Sequence, residues 1–133
     1  MIIKEYKEYI EQEIVKLYAD AGWKAYLDDL HALKCGYENS LITLAAYEGE
    51  ELLGIIRAVG DGATIVFIQD IIVLKKYQRQ GIGTALLKEV LDRFKSVRQI
   101  ELVTDNTEKT KAFYRSVGFR DLSEIGCCGF MRV

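Results

Sequence analysis

The sequence is poor in the residues that build metal and nucleophilic sites: its 133 residues include one histidine, three cysteines and no proline. A single histidine excludes a multi-histidine metal site and leaves only His31 for a Ser-His-Asp triad. His31 lies among apolar residues of a helical stretch, so we expect a structural role. Cys35, Cys127 and Cys128 lack C-x-x-C spacing, which argues against a disulfide framework and a zinc site. We expect buried or half-buried free thiols and no metal.

The chain also lacks a charge excess and a long apolar run. Its formal net charge is −2 at pH 7, so nothing attracts it globally to nucleic acid or an anionic membrane, and any anion site must be local. No apolar run reaches the roughly 18 residues of a membrane span, and the first residues lack the apolar centre of a signal peptide. We therefore expect a cytoplasmic protein with no nucleic-acid or membrane partner, folded as one domain over residues 1–133.

Hydrophobic periodicity predicts an α+β domain with a mixed sheet. Residues 65–74 are apolar on both faces and predict a central strand, which follows an antiparallel hairpin. The predicted elements are, in order, a strand at 2–6, helices at about 7–21 and 24–35, strands at 41–47, 52–59 and 65–74, a helix from 82, a strand at 99–104, a helix at 107–117 and one or two strands within 119–133.

Residues 65–85 form the junction around which the chain is organised: a buried strand, a basic loop with two glycines and the start of an amphipathic helix. Such a junction offers unpaired backbone N–H groups and the positive end of a helix dipole to an anion. Its spacing is not that of a Walker loop, and the dinucleotide pattern G-x-G-x-x-G fails at Leu86. On the glycines alone, a tight turn without a ligand stays an equal alternative.

Two motifs decide between these alternatives. The loop is Gln78-Arg79-Gln80-Gly81-Ile82-Gly83-Thr84-Ala85, and a later pattern is Asn106…Ala112-Phe113-Tyr114…Gly118-Phe119. Over residues 52–120 they resemble the GNAT superfamily of acyl-CoA N-acyltransferases. The resemblance implies a GNAT-like mixed sheet of six to seven strands flanked by about four helices, with strands four and five splayed around the acyl-CoA. It also implies acetyl-CoA as co-substrate, residues 65–118 as its binding core, and residues 7–36 as a helical lobe on the acceptor side.

The resemblance places the cofactor contacts on backbone groups. Ile71, Ile72 and Val73 are expected to pair with the pantetheine arm as if it were an added strand. The loop N–H groups are expected to cradle the pyrophosphate, because glycine lets the backbone approach without a Cβ in the way; the residues concerned are Arg79, Gln80, Gly81, Ile82, Gly83 and Thr84. Asn106 matches a family position that contacts coenzyme A, with a plain helix cap as the alternative.

Tyr114 occupies the family position of the general acid, which protonates the departing thiolate; a core tyrosine is the alternative. The general base stays open. Gln69 stands where some family members carry a histidine or glutamate, but glutamine cannot take a proton. Asp70 is the other polar residue of the strand, pointing to the opposite face by alternation, and it is either a base or a structural residue. Glu101, a water chain, or arrival of an already neutral amine are further alternatives.

The acceptor pocket is expected at the joint of the first two helices, where Trp23 and Tyr26 offer aromatic surface, with Gln69 beside them. The predicted function is acetyl transfer from acetyl-CoA to a primary amine of a small molecule by direct attack. The alternatives are a non-catalytic acyl-CoA-binding sensor or partner module, and an acetyltransferase acting on a protein or an aminoacylated RNA. A homodimer is plausible, because small members of the family often pair. An acyl-enzyme on Cys127 or Cys128 is disfavoured, because nothing pairs them with a base.

Overall fold

A five-stranded mixed sheet in the order β1-β2-β3-β4-β5 forms the centre of the fold. In this computed structural model, which describes all of Met1–Val133, the strands are β1 (Ile2–Glu5), β2 (Ile42–Glu48), β3 (Glu51–Gly60), β4 (Ile65–Val73) and β5 (Gln99–Leu102). Neighbouring strands are antiparallel except β4 and β5, which are parallel. A parallel pair needs a crossover connection, and the helix between these two strands provides it.

Five helices accompany the sheet, in agreement with the predicted number of about four, and one of the five has only four residues. They are α1 (Glu11–Ala21), α2 (Lys24–Leu27), α3 (Leu30–Glu38), α4 (Ile82–Arg93) and α5 (Glu108–Ser116), with 3₁₀ turns at Lys75–Tyr77 and Leu122–Ile125. The chain divides into two units, Met1–Leu102 and Val103–Val133. The first unit therefore holds the whole sheet and α1–α4, and the second holds α5.

Both faces of the sheet are buried in the first unit, because helices cover each of them. On one face, α1 and α3 pack against alternate strand residues; the shared cluster includes Ile14, Leu17, Tyr18, Leu33, Tyr37, Ile55 and Ile72. Ile56, next to Ile55 and so on the opposite face, is also fully buried, as are Leu86, Leu87 and Val90 of α4. Burying both faces explains why β3 is apolar nearly throughout instead of alternating.

The predicted helix at 24–35 is two helices. The first ends at Leu27, and Asp29 starts the second, because its carboxylate accepts a hydrogen bond from the Ala32 N–H at 3.0 Å and caps α3. The helix then continues through Gly36 to Glu38, so Gly36 does not close it. A Cβ at Gly36 would lie 3.2 Å from an Arg57 guanidinium nitrogen, so this glycine makes room for a buried side chain. Residues 7–10, predicted to be helical, precede α1.

The prediction of six to seven strands is wrong at the end of the chain. Residues 119–133 contain no strand. Asp121 and Glu124 form a reciprocal capping box that starts a 3₁₀ turn, and Gly126, in the left-handed conformation at φ 79°, ends it. Local hydrogen bonds thus replace the expected ladder, and the apolar side chains of Phe130 and Met131 are exposed.

The cysteines also differ from the prediction: Cys35, Cys127 and Cys128 are all free and exposed. The expectation of buried thiols assumed that each cysteine lies on an apolar face. Cys35 instead lies on the solvent side of α3, and the other two lie in the segment that forms no strand. Among the helices, none combines the length and the apolar character needed to cross a membrane.

Candidate active site

The second half of β4 presents one edge to which no strand is paired. β5 pairs only with the first four residues of β4, from Ile65↔Gln99 to Ile68↔Leu102, whereas β3 pairs with β4 as far as Val73. The edge at residues 69–73 that faces away from β3 is therefore open, which is the splay between strands four and five that the resemblance implies. Ile71, Ile72 and Val73 lie on this open stretch, where the backbone groups of alternate residues point away from β3.

The glycine loop has the backbone geometry of an anion cradle. Arg79 and Gly81 both have positive φ, at 65° and 82°, so the chain turns sharply before α4. Gly81 is the residue that caps α4; it has no side chain to occupy the first N–H groups, and a Cβ placed there would meet nothing within 4 Å. Ile82, Gly83 and Thr84 form the first turn, whose N–H groups have no acceptor within the helix. These groups and the helix dipole fit a pyrophosphate.

Some of the cations near the loop are ion-paired within the protein and others are not. Lys76 pairs with Glu51 at 3.3 Å, so its charge is already compensated. Arg79 is exposed and forms no ion pair. Gln78 donates from Nε2 to the Val73 carbonyl at 3.1 Å and ties the loop to the end of β4. Arg79 thus stays available to an anion, as does the exposed Lys75, and Gln80 is exposed beside Arg79.

Gln69 and Asp70 do not act on opposite sides of the sheet. Arg57 is the register partner of Asp70 and Ala58 that of Ile68, so Gln69 is the extra residue of a β-bulge. As a result both side chains reach the hydroxyl of Tyr26: Gln69 Nε2 donates to its oxygen at 3.0 Å, and the hydroxyl donates to Asp70 Oδ1 at 2.8 Å. The expectation that Gln69 and Asp70 point to opposite faces is therefore wrong, because the bulge interrupts the alternation of side chains at this point.

Asp70 is enclosed by donors. Its Oδ2 accepts from Arg57 Nε at 2.9 Å and lies 2.8 Å from Arg57 Nη2 in an ion pair, and the carboxylate also accepts from the Tyr18 and Tyr26 hydroxyls at 2.8 Å each. Its side chain is 1% exposed. A carboxylate that is buried, ion-paired and bound by three donors is held as an acceptor in the fold, and this arrangement favours the structural alternative for Asp70 over the role of general base.

The network continues through Tyr18 and Tyr37, whose hydroxyl oxygens are 2.7 Å apart. Burial raises the pKa of Tyr18 and of Tyr37 well above the ordinary value, and the charge of Asp70 raises both further. Burial also raises the pKa of the Tyr26 hydroxyl. All three phenols therefore keep their protons at neutral pH and act as hydrogen-bond donors.

Trp23 and Tyr26 form a stacked pair at the joint of α1 and α2. Their ring centroids are 6.0 Å apart with an angle of 29° between the planes, and Trp23 is 37% exposed. Tyr18 lies edge-on beneath both rings. The structure thus brings together Trp23, Tyr26 and Gln69, the three residues that the sequence proposed for acceptor binding.

Sequence reasoning missed Arg57 and Tyr37, which hold this network, and took Tyr18 only as part of the aromatic surface near the acceptor pocket. Arg57 carried a detectable signal, because a charge in the middle of a buried apolar strand requires a partner, and Asp70 was the matching anomaly in the next strand. The tyrosines carried none, since their spacing on α1 and α3 is that of ordinary core residues.

Tyr114 and Asn106 belong to the second unit. Tyr114 is half-buried on α5, edge-on to Phe113 and Phe119 at 5.0 and 5.9 Å between centroids. Burial raises the pKa of its hydroxyl, so the phenol carries a proton at neutral pH. The helix cap is Thr107, which accepts from the Thr110 N–H at 3.2 Å. The exposed Asn106 side chain is therefore not used as the cap.

The remaining base candidate of the sequence is Glu101. Glu101, on β5, accepts a hydrogen bond from Gln99 at 3.0 Å. No group of three or more histidine, cysteine, aspartate or glutamate side chains is arranged to hold a metal ion. In the first unit, the candidate groups are the backbone N–H groups and Arg79 of the loop, the Trp23 and Tyr26 rings and the Gln69 amide, a set suited to binding and orienting organic substrates.

Comparison with known proteins agrees with the fold. The model of the acetyltransferase (GNAT) family matches residues 6–119. The solved structure of a GNAT-family acetyltransferase from Streptococcus pneumoniae TIGR4 is 41% identical, with a TM-score of 0.90 over 99% of this chain and 96% of its own. An aminoglycoside 6′-N-acetyltransferase from Acinetobacter haemolyticus, 21% identical with a TM-score of 0.62 over 91% of this chain and 92% of its own, shares the fold.

A curated relative is the uncharacterized N-acetyltransferase ycf52 of Gracilaria tenuistipitata, which is 26% identical over 80% of this chain and 60% of its own length. The chain spans between 44% and 64% of the length of the first curated relatives that it matches.

Proposed function

The chain belongs to the GNAT acetyltransferase family, and from this premise we propose that it transfers an acetyl group from acetyl-CoA to a primary amine of a small molecule. The family uses acetyl-CoA as co-substrate. The observation that carries the proposal is the start of α4, where Gly81 leaves open space and the first-turn N–H groups have no cap. A pyrophosphate satisfies those groups and is favoured by the helix dipole.

In the proposed complex, the loop from Arg79 to Thr84 binds the pyrophosphate, and the open edge of β4 at Ile71–Val73 pairs with the pantetheine arm. Asn106 contributes a further contact to coenzyme A. The amine attacks the thioester carbonyl directly, and a backbone N–H near Val73 stabilises the developing oxyanion. No metal takes part.

Tyr114 acts in this proposal as the general acid. As the C–S bond breaks, the thiolate of coenzyme A takes the phenolic proton, and the tyrosinate is reprotonated by solvent or by the proton released from the attacking amine. Burial raises the pKa of Tyr114, so the phenol holds its proton before the reaction begins.

The test is turnover with a panel of primary amines, followed by the loss of thioester absorbance. A thiol reagent is unsuitable, because the three exposed cysteines react with it as well. Tyr114→Phe is expected to lower kcat about 10²-fold or more with little change in either KM. Tyr9→Phe is the matched control, since the Tyr9 hydroxyl is buried without a hydrogen-bond partner.

Three outcomes distinguish the alternatives. Acetyl-CoA binding with no turnover of any amine indicates a sensor or partner module. Turnover of a peptide amine or an aminoacylated RNA, but of no small amine, indicates a macromolecular acceptor. Absence of acetyl-CoA binding in isothermal titration overturns the proposal.

The proposal extends to the setting in which the enzyme works. We propose a cytoplasmic protein that pairs as a homodimer, as the resemblance to small family members implies. The exposed Phe130 and Met131 supply apolar surface for such pairing. Light scattering of the purified chain tests it: a mass of one chain at micromolar concentration contradicts the dimer.

A further inference from the structure

The direction of the hydrogen bonds around Tyr26 is determined by Asp70. The carboxylate of Asp70 is paired with Arg57 and has only acceptors to offer. A tyrosine hydroxyl has one hydrogen, and the Tyr26 hydroxyl donates it to Asp70 Oδ1 at 2.8 Å. Its oxygen can then only accept from every other neighbour.

Gln69 is oriented by this constraint. The atom of its amide that lies 3.0 Å from the Tyr26 oxygen must be a donor, which is Nε2 as found. The carbonyl oxygen Oε1 therefore points away from Tyr26, and Gln69 is exposed on β4. The buried Asp70 carboxylate thus determines the direction of the Tyr26 hydroxyl, and the hydroxyl in turn determines the orientation of the Gln69 amide.

At the exposed end of this chain, the Tyr26 oxygen can only accept, whereas the Gln69 amide offers Oε1 as an acceptor and keeps one Nε2 hydrogen as a donor. The remaining lone pair of the Tyr26 oxygen is therefore the acceptor that Asp70 determines, and it lies on the ring that stacks with Trp23. The charge of Asp70 is balanced by Arg57, so the preference for a ligand arises from hydrogen-bond direction and not from net charge. A group that donates N–H to the Tyr26 oxygen is accommodated, whereas a carboxylate or phosphate oxygen at that atom meets a lone pair and loses its hydration without replacement.

Resting on the proposed function, we propose that Asp70 is a positioning residue that, through Tyr26 and Gln69, selects acceptors in which a primary amine adjoins a flat aromatic or apolar body. The amine donates to the Tyr26 oxygen and to Gln69 Oε1 in either protonation state, and the body packs on Trp23. The two acceptors hold the nitrogen, and neither removes a proton from it.

Trp23 provides a direct readout, because it is the only tryptophan of the chain. Its indole N–H gives one cross-peak in a ¹⁵N-correlated NMR spectrum, which is followed while benzylamine or benzoate is added. These probes share the aromatic body and differ in whether the polar group donates or accepts. Benzylamine is expected to shift the cross-peak saturably, with a Kd at least tenfold below that of benzoate.

Variants separate positioning from folding. Tyr26→Phe and Gln69→Leu, which keep side-chain bulk, are each expected to weaken benzylamine binding about tenfold while leaving acetyl-CoA affinity unchanged; Tyr9→Phe is expected to change neither. Asp70→Asn can donate to Tyr26 and free its hydrogen, so the preference for benzylamine over benzoate is expected to fall at least fivefold where that variant folds. In turnover, Tyr26→Phe is expected to raise the amine KM about tenfold and leave the acetyl-CoA KM unchanged.

The inference is overturned if benzoate binds as tightly as benzylamine, if neither probe shifts the Trp23 cross-peak, or if Tyr26→Phe and Gln69→Leu leave benzylamine affinity unaltered. These results stand apart from the proposed function. Turnover of an amine together with any of them leaves the acetyltransferase proposal intact, whereas absence of turnover leaves the binding preference measurable.

Discussion

Arg57 and Asp70 face each other across β3 and β4 and form a buried, hydrogen-bonded ion pair, with 7% and 1% of their side chains exposed. The same Asp70 carboxylate receives the hydroxyls of Tyr18 and Tyr26. The ion pair that stabilises the sheet therefore also holds Tyr26, a residue of the candidate acceptor pocket. Changes at this pair are expected to affect stability and substrate preference together.

Asp70→Asn is expected to lower the free energy of unfolding by about 3 kcal/mol, because it leaves the Arg57 guanidinium buried without a counter-charge. Urea denaturation followed by circular dichroism measures the change. Asp92→Asn, on the exposed side of α4, is the control and is expected to change stability by less than about 0.5 kcal/mol. A loss below about 1 kcal/mol at Asp70 contradicts the importance of the pair.

Asp61 is expected to contribute a pH-dependent part of the stability. Its carboxylate accepts from the N–H groups of Ala63, Thr64 and Ile65 and from the Thr64 hydroxyl, and these bonds lower its pKa below the ordinary range. Since the folded pKa is lowered, the stabilisation is complete above the unfolded pKa of about 4 and is lost as the pH falls through the folded value.

Asp61→Asn removes this titration. The stability difference between the wild type and Asp61→Asn is expected to be largest above about pH 5 and to narrow steadily toward pH 2. Denaturant unfolding across that range measures it, with Asp92→Asn as a control that retains the wild-type pH profile. A gap that stays constant with pH would show that the turn does not depend on the ionised carboxylate.

Gly81→Val tests the anion cradle against a matched glycine. Gly81 and Gly49 both have positive φ, at 82° and 59°, and open space around an added Cβ. Valine at either position is expected to cost about 1–2 kcal/mol of stability through backbone strain. Only Gly81→Val is expected to weaken acetyl-CoA binding, by at least tenfold in isothermal titration. Equal affinities in the two variants argue against the loop as the pyrophosphate site.

The exposure of all three cysteines predicts rapid thiol chemistry in the native protein. Titration with a disulfide reagent, without denaturant, is expected to modify 3 thiols per chain. The same number is expected after unfolding in denaturant. A native count below that number contradicts the open placement of Cys127 and Cys128 in the terminal segment.

Hydrophobic periodicity was sufficient to predict the strands and helices in which buried residues repeat at a regular spacing along the chain. Both faces of β4 and the apolar stripe of α4 are visible in the sequence because every second or every third to fourth residue repeats the same environment. The end of the chain was mispredicted for the opposite reason. Its apolar residues suggested strands, but the capping box of Asp121 and Glu124 satisfies the backbone locally, and no ladder partner is present.

The candidate site divides in the same way. Gly81 and Gly83 predict the loop, because two glycines so close together between a strand and a helix indicate a tight backbone turn. Tyr114 was selected as a candidate through its motif. The roles of Gln69 and Asp70 could not be assigned by alternation, since a one-residue bulge changes where a side chain points and leaves no mark in the pattern.

The sequence by itself determined the α+β class, the order of the elements up to α5, and the glycine loop, because each depends on residues that are neighbours in the chain. Only the tertiary structure decided that Arg57, Asp70, Tyr18 and Tyr26 form one network, that Gln69 joins it, and that the last residues add no strand. Those contacts join positions up to 52 residues apart, and their hydrogen-bond directions exist only once burial has forced every polar atom to find a partner.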